Sequence, residues 1–353
     1  MKEIINKLAD DHLLSRKEFK ALLSDNNTDT LEYLKEKASS VRQQIYGKDV
    51  YIRGLIEFTN YCKNDCFYCG IRKSNKNAQR YRLTEGQILE CCSKGYELGF
   101  RTFVLQGGED PYWNDERLCH VVNTIRKNYP DCAITLSVGE RTKESYQKLF
   151  DAGADRYLLR HETANTDHYR NLHPKELTLR HRIDCLKGLK EIGFQTGCGF
   201  MVGSPGQTLE HIIDDLLFIF AFKPHMVGIG PFLPASGTPF SSELPGSSEL
   251  TIKLLSIVRL MIPEVLLPAT TALGTAKEDG RQSGILAGAN VIMPNLSPKE
   301  VRSKYLLYDN KIATGDEAAE SVKHLTQSME EIGYQIVTAR GDYNGLATVC
   351  TTN

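Results

Sequence analysis

Eight apolar runs rich in β-branched residues recur along this chain, at 51–58, 102–106, 133–138, 156–161, 195–202, 226–230, 266–271 and 290–293. Polar stretches with helical periodicity separate them, such as TEGQILECCSKGYELG at 84–99 and TLRHRIDCLKGLKEIG at 178–193. Strands that alternate with helices pair in parallel, and eight such units in series imply a sheet closed on itself. The expectation is therefore an α/β chain with a complete (β/α)8 TIM-type barrel over 49–300. Residues 1–48 read as an N-terminal helical extension broken at Ser24–Thr30. Residues 301–353 read as a C-terminal extension closing the barrel, with an amphipathic helix over 315–333 and then a loosely structured tail. An open doubly wound sheet is the alternative topology. The Pro-, Gly- and Ser-rich stretch 232–249, after the sixth run, reads either as a substrate cover at the barrel mouth or as a solvated connector.

At 353 residues one barrel with extensions suffices. A formal net charge of −1 gives no global basic field for nucleic acid or an anionic membrane surface. No run of eighteen uncharged apolar residues occurs, and the start MKEIINKLADDHLLSRKEFK is charged and helical, so a cytoplasmic protein is expected. The ten cysteines form no spaced disulfide framework. Cys91, Cys92, Cys119, Cys132, Cys185 and Cys198 sit within apolar patterns and read as buried small hydrophobes.

Three further cysteines are different. Cys62, Cys66 and Cys69, in CKNDCFYC, have the spacing C-x3-C-x2-C directly after the first run. Three thiolates can hold three corners of a 4Fe-4S cube and leave one iron open, whereas clusters that only carry electrons present four cysteines. A zinc site is the alternative, but such sites favour two separated ligand pairs and no second pair lies nearby.

Barrel enzymes place their sites at the C-terminal ends of the strands, which is where the cysteine loop falls. Period-two geometry groups Val104 with Gln106, Thr135 with Ser137, Arg160 with Glu162, Gly197 with Gly199 and Met201, and Met226 with Gly228 and Gly230. The complementary set, Leu105, Leu136, Leu159, Phe200, Val227 and Ile229, is apolar and suits the outer helices. An interior of polar residues and glycine is unlike a packed barrel core and implies a cavity. Arg160 and Glu162 could instead simply neutralise one another. Gly107–Asp110, GGED, follows the second run, where glycine lets backbone approach a ligand. Arg182, on the helical stretch 178–193 after the fourth run, offers a fork donor for a carboxylate.

The cysteine spacing resembles the radical S-adenosylmethionine superfamily. That resemblance implies that the open iron binds the amino and carboxylate groups of S-adenosyl-L-methionine, and that an electron from the cluster cleaves the sulfonium to a 5'-deoxyadenosyl radical. It implies an adenine-facing aromatic at Tyr68 and contacts to the methionine amino group from the segment holding Gly107, Gly108 and Glu109. The strings YCKNDCFYCGIRKSNKNAQRYR, LQGGEDPY, DRYLLRHETAN, MVGSPGQT, VGIGPFLP, PATTALGT and ANVIMPN together resemble the HydE-type FeFe-hydrogenase maturases, from about residue 45 to about 300. Membership implies assembly of a hydrogenase cluster by radical processing of a small cysteine-bound Fe(CO)2CN complex. It also implies an external electron donor and transient contact with other hydrogenase maturation proteins. Carried over, Cys62, Cys66 and Cys69 hold one 4Fe-4S cluster, with Gly107, Gly108, Glu109, Ser137, Glu162, Arg182 and Met201 around the cofactor. Gln106, Thr135, Arg160, Thr270 and Thr271 line a substrate cavity, with Met226 and Met293 on its apolar wall, and Arg160, Thr135 and Gln106 nearest the chemistry. A guanidinium and neutral donors in a sheltered pocket also suit an anionic iron-cyanide complex. Many family members carry three more cysteines after the eighth strand for a second cluster; KIATGDEAAESVKHL has none, and Cys350 stands alone.

Three competing functions follow from the same residues. A 3-methylornithine synthase-like lysine mutase would need a carboxylate beyond Glu162 for the substrate ammonium, and none is evident. A biotin synthase-like sulfur insertion would want another cluster. A non-catalytic iron-cyanide carrier would not need the cofactor-binding elements.

Overall fold

The computed structural model describes residues 1–312 and 318–343, so Cys350 and the start of the 315–333 stretch lie outside the described residues. Six parallel strands form one sheet in the order Gly54–Thr59, Thr102–Gly107, Ala133–Ser137, Arg156–Leu158, Gln195–Cys198 and Met226–Val227. Consecutive strands are neighbours, as right-handed β-α units dictate. A helix follows most of them. Glu85–Glu97 begins at a Thr84 capping box and Leu179–Ile192 ends at Gly193 in the left-handed conformation, within two residues of the periodic stretches expected at 84–99 and 178–193.

Beyond Val227 the sheet thins to single parallel bridges. Met226 pairs with Leu266, Pro268 with Val291 and Leu55 with Asn295, while Val291–Ile292 pairs with Asp49–Ile52. Three expected strands are interrupted. The first breaks at Arg53, the fifth at Gly199–Phe200 and the sixth at Gly228–Ile229, beyond which Met201–Val202 pairs with Gly230–Pro231. Gly199, at φ 152°, lies against the Gly228 carbonyl so closely that a Cβ would fall 1.9 Å from that oxygen.

The termini depart from expectation in two places. The N-terminal extension has the expected break after Ser24, but a second break separates Lys2–Asp11 from Arg16–Ser24. There His12 turns left-handed and Ser15 forms a capping box with Glu18. Among the described residues, the stretch after the C-terminal helix Ala318–Glu331 is not a loose tail: Gln335–Val337 adds a parallel strand beside Asp49–Tyr51. The following turn then fastens to the base of the sheet, where Arg156 Nη2 donates to Asp342 (2.6 Å) and to the Arg340 and Gly341 carbonyls (2.9 and 3.1 Å). Among the described residues no helix is long and apolar enough to cross a membrane.

The register sorts the strand faces. Ile56, Leu105 and Leu136 lie side by side and, with Phe200, Val227 and Ile229, join the main hydrophobic cluster packed beneath the helices. Leu55, Val104 and Thr135 form the alternate row, and Glu57, Gln106 and Ser137 the next. Those rows face the other side, where two small clusters replace a continuous core. Met226 sits with Tyr46, Leu266 and Val291, and Met201 with Leu172 and Phe232.

Candidate functional site

The cysteine loop leaves the strand Gly54–Thr59 and returns through a bridge from Arg82 to Thr59. It is tied down along its length. The Lys63 N–H donates to the Glu109 carbonyl (2.9 Å), Phe67 N–H to Leu172 (3.0 Å) and Gly70 N–H to Leu307 (2.9 Å). Asp65 pairs with Arg72 at 2.7 Å and accepts from Ser74, and Asn60 Nδ2 reaches the Gln79 and Lys304 carbonyls. The Cys62, Cys66 and Cys69 side chains are thereby brought to one end of one cavity of about 290 Å³.

Burial raises all three thiols above their ordinary range, with the neighbouring cysteines adding to the effect at Cys66 and Cys69, the latter to about 12. A strongly charged cation would be needed to hold all three as thiolates here. Cys62, Cys66 and Cys69 border one space, and three cysteine thiolates suit three corners of an iron-sulfur cube.

Two glycines of GGED explain how the next strand fits against this loop. A Cβ on Gly108 would stand 2.2 Å from the Tyr61 carbonyl oxygen and 2.8 Å from Cys62 Cβ, and one on Gly107 2.7 Å from Thr59 Cγ2. The missing side chains thus admit the cysteine loop itself, a protein neighbour as well as the expected ligand approach. Glu109 tucks under Gly139, accepts from the Glu140 N–H (2.9 Å) and meets Lys63 Nζ at 3.1 Å. Asp110 is buried and held by Thr59 (2.7 Å) and by both ends of the Arg82 fork (2.7 and 2.9 Å).

Gln106, Ser137, Arg160, Glu162, Arg182 and Met201 all line the same cavity. Arg160 Nη2 lies 3.2 Å from Glu162 Oε2, yet these atoms and Arg160 Nε have no hydrogen-bond partner among the described residues. The pair is close without being satisfied, so both keep capacity for a guest. Arg182 gives Nε to Glu140 and Nη1 to the Arg160 carbonyl (2.7 Å), which orients its guanidinium. Tyr68 donates its hydroxyl to His173 Nε2 (3.1 Å), because His173 Nδ1 faces the Tyr169 carbonyl at 3.0 Å and carries the proton. Phe232 and Leu233, from the start of the 232–249 stretch, also line the cavity, whereas Leu244 farther along is exposed.

The other sequence-selected residues lie elsewhere. Thr135 is buried on the inner row with its hydroxyl unpartnered. Met226 takes a contact from Arg53 Nη1 at 3.1 Å, and Met293 packs on the same basal cluster. Thr270 caps the helix Thr271–Ala276 by accepting from Leu273 N–H, and Thr271 opens that helix.

Several residues at the site escaped the sequence reading. Glu140 orients Arg182. Tyr305 and Tyr308, from the C-terminal extension, line the cavity, and the Tyr305 hydroxyl meets Gln106 Nε2 at 3.4 Å. Glu57 supplies the inward carboxylate that seemed lacking, but it is already paired with Lys311 and accepts from Asn295 Nδ2 (2.8 Å). Its place beside Gln106 in the strand alternation is the signal that could have found it.

Comparison with known proteins agrees with this geometry. Residues 56–219 match the Radical SAM superfamily model. The [FeFe] hydrogenase maturase subunit HydE of Thermotoga maritima is 42% identical over 94% of both chains. The 3-methylornithine synthase of Methanosarcina barkeri is 29% identical over 93% of this chain and 92% of its own. A crystal structure of methylornithine synthase (PylB) superposes with a TM-score of 0.85 at 28% identity, covering 98% of this chain and 99% of that one. A parallel-sheet α/β fold, an end-to-end match at 42% identity and three thiols at one cavity converge on one conclusion: the chain belongs to the HydE [FeFe]-hydrogenase maturases of the radical SAM superfamily.

Proposed function

We propose that this protein assembles the FeFe-hydrogenase active-site cluster by radical processing of a small cysteine-bound Fe(CO)2CN precursor. The observation that carries this is the 42% identity to a HydE maturase over nearly the whole chain, against 29% to a methylornithine synthase of equal coverage. We read the sheet as a complete eight-stranded barrel over 49–300, supported by the bridges Met226 to Leu266, Pro268 to Val291 and Leu55 to Asn295. The segments 1–48 and 301–353 are then extensions, and the protein works in the cytoplasm with an external electron donor and other maturation proteins.

Radical SAM proteins use a 4Fe-4S cluster and S-adenosyl-L-methionine. Bound here, the two together supply a one-electron cleavage of the sulfonium, and so a 5'-deoxyadenosyl radical. The chain's own residues do the rest. Cys62, Cys66 and Cys69 hold the cluster; Tyr68, Gly107, Gly108, Glu109, Ser137, Glu162, Arg182 and Met201 surround the cofactor. The Tyr68 ring is pinned through His173 to receive a flat apolar group, and Arg182, turned by Glu140, presents its charge to a carboxylate. Gln106 and the unsatisfied Arg160 fork face an anionic substrate, while Thr135, Met226, Thr270, Thr271 and Met293 lie beyond the lining of that cavity.

A lysine mutase reading loses ground at Glu57, because Lys311 already neutralises this inward carboxylate. Anaerobic reconstitution tests the choice. Lysine and the cysteine-bound iron complex are offered in parallel while 5'-deoxyadenosine and methionine release are followed. Stimulation by the iron complex is expected; stimulation by lysine alone would refute the maturase reading. Binding without any cofactor cleavage would leave only a carrier. In the same assay R160L should form its cluster but lose roughly 10- to 100-fold in turnover, the worth of a charged hydrogen bond. C66A should abolish cleavage.

A further inference from the structure

The segment 160–164 carries two polar side chains of the cavity on an uncommon backbone. Glu162 has φ 64°, in the left-handed region that a residue with a Cβ seldom enters. Such a conformation persists only where the surroundings over-determine it. Here the Glu162 N–H donates to the Gly199 carbonyl (3.0 Å), and the next two anchors converge on residues with no part in the chemistry above. The Gly199 N–H donates to His161 Nδ1 (3.2 Å), so the imidazole proton sits on Nε2, which lies 3.3 Å from Asp215 Oδ1 without forming a hydrogen bond to it among the described residues. That same Asp215 oxygen accepts the Ala164 N–H. From the helix Leu209–Phe222, Asp215 thus holds the chain just after Glu162 by a hydrogen bond and lies against it just before.

His161 and Asp215 are both fully buried, the imidazole between the rings of Phe200 and Phe218 at 6.0 and 4.7 Å. A carboxyl group in such a place costs stability unless its bonds do something an apolar side chain cannot. Burial pushes the Asp215 carboxyl up from its ordinary range and the His161 imidazole down to about 3, and Asp215 Oδ1 accepts the Ala164 N–H as an amide oxygen could.

We propose that Asp215, bonded to the Ala164 amide and packed against His161, is a positioning residue that fixes Glu162 in its left-handed conformation and so aims the Glu162 carboxylate at the cofactor. The inference rests on the reading of Glu162 as a cofactor contact. Its test uses the reconstituted holoprotein, with the Kd for S-adenosyl-L-methionine measured by anaerobic equilibrium dialysis. The change in the cluster's electron paramagnetic resonance spectrum on cofactor addition is a second readout.

E162Q, D215N, D215L and the double variant E162Q/D215L are compared. D215N keeps the accepting oxygen and should bind within about twofold of the parent, while D215L should bind about tenfold more weakly with the cluster intact, the scale of one strained residue released. The double variant should bind no more weakly than the weaker single variant, because both changes act through one carboxylate. Losses that multiply would overturn the proposal, since a merely structural role adds independently. Parent-like binding by D215L beside a weakened E162Q would overturn it too. Parent-like binding by E162Q would instead remove Glu162 from the cofactor site, and the proposal with it. If D215L does not fold, H161L removes the acceptor of the Gly199 N–H, whose carbonyl holds the Glu162 N–H, and must show the same tenfold loss.

Discussion

Replacing Gly108 by alanine is the most stringent probe of how the cysteine loop is built. The new methyl would lie 2.2 Å from the Tyr61 carbonyl oxygen, 2.8 Å from Cys62 Cβ and 2.9 Å from the Tyr61 carbonyl carbon. Non-bonded heavy atoms need well over 3 Å, so the Tyr61–Cys62 peptide must retreat by about 1 Å. Retreat is opposed at once, because the Lys63 N–H is bonded to the Glu109 carbonyl at 2.9 Å and Tyr61 N–H to Thr59 Oγ1 at 3.2 Å. Overpacking of this kind costs about 1–3 kcal/mol, a factor of roughly 5 to 150 in any equilibrium that needs the undisturbed loop.

That cost should fall on Cys62 first, so G108A should reconstitute with fewer than the roughly four irons per chain of a full cube, and with an altered resonance spectrum. G188A is the control. The corresponding methyl would meet only Lys143 Cγ, at 3.9 Å, on the helix Leu179–Ile192, and glycine to alanine inside a helix stabilises by about 0.5–1 kcal/mol. It should therefore melt higher and keep full iron. Full iron and a parent-like spectrum in G108A would refute the claim that this glycine sets the position of Cys62.

Three other outcomes can be checked by melting curves. K311M leaves the buried Glu57 carboxylate with Asn295 but without its cation, and should cost about 3–5 kcal/mol, whereas the paired change E57Q/K311M should recover most of it. Asp65 is lowered to about 2 by its bond to Arg72, burial opposing and Ser74 assisting. Its stabilisation is fully present above the unfolded value near 3.9, and is lost as pH falls through the folded value; D65N in the metal-free protein should cost about 1 kcal/mol at pH 7 and almost nothing by pH 2. T135V removes a buried hydroxyl that has no partner and should melt higher by about 1 kcal/mol, while turnover of the iron complex falls if that hydroxyl serves the substrate.

The mouth of the sheet was legible in the sequence because its signals are local. Cys62, Cys66 and Cys69 sit within eight residues, and the alternation of Gln106 and Ser137 with apolar Leu105, Leu136 and Val138 reports one face directly. The base was not legible. Gln335–Val337 is three residues long, and its partner Asp49–Tyr51 lies 286 positions away, so no periodicity marks it. Arg156 gave no hint that it would close on Asp342, and Glu57 looked like any strand carboxylate until Lys311 returned to it. Thr270 misled for another reason: threonine before a short helix is as good a cap as it is a ligand contact, and its side chain caps Thr271–Ala276.

The unsatisfied groups point to a division of labour inside the molecule. Arg156 at the base is fully buried, yet it donates to Thr102, Gln195, Asp342 and two carbonyls. Arg160, four residues on in the same chain segment, reaches the cavity with two nitrogens unpartnered. A protein under selection for stability alone would not keep the second arrangement, because a buried donor without an acceptor costs about 1–3 kcal/mol. The two arginines differ in sequence position by little and in bonding by almost everything, so their loss should separate: R156 variants lower the melting temperature, and Arg160 variants lower turnover while leaving it in place.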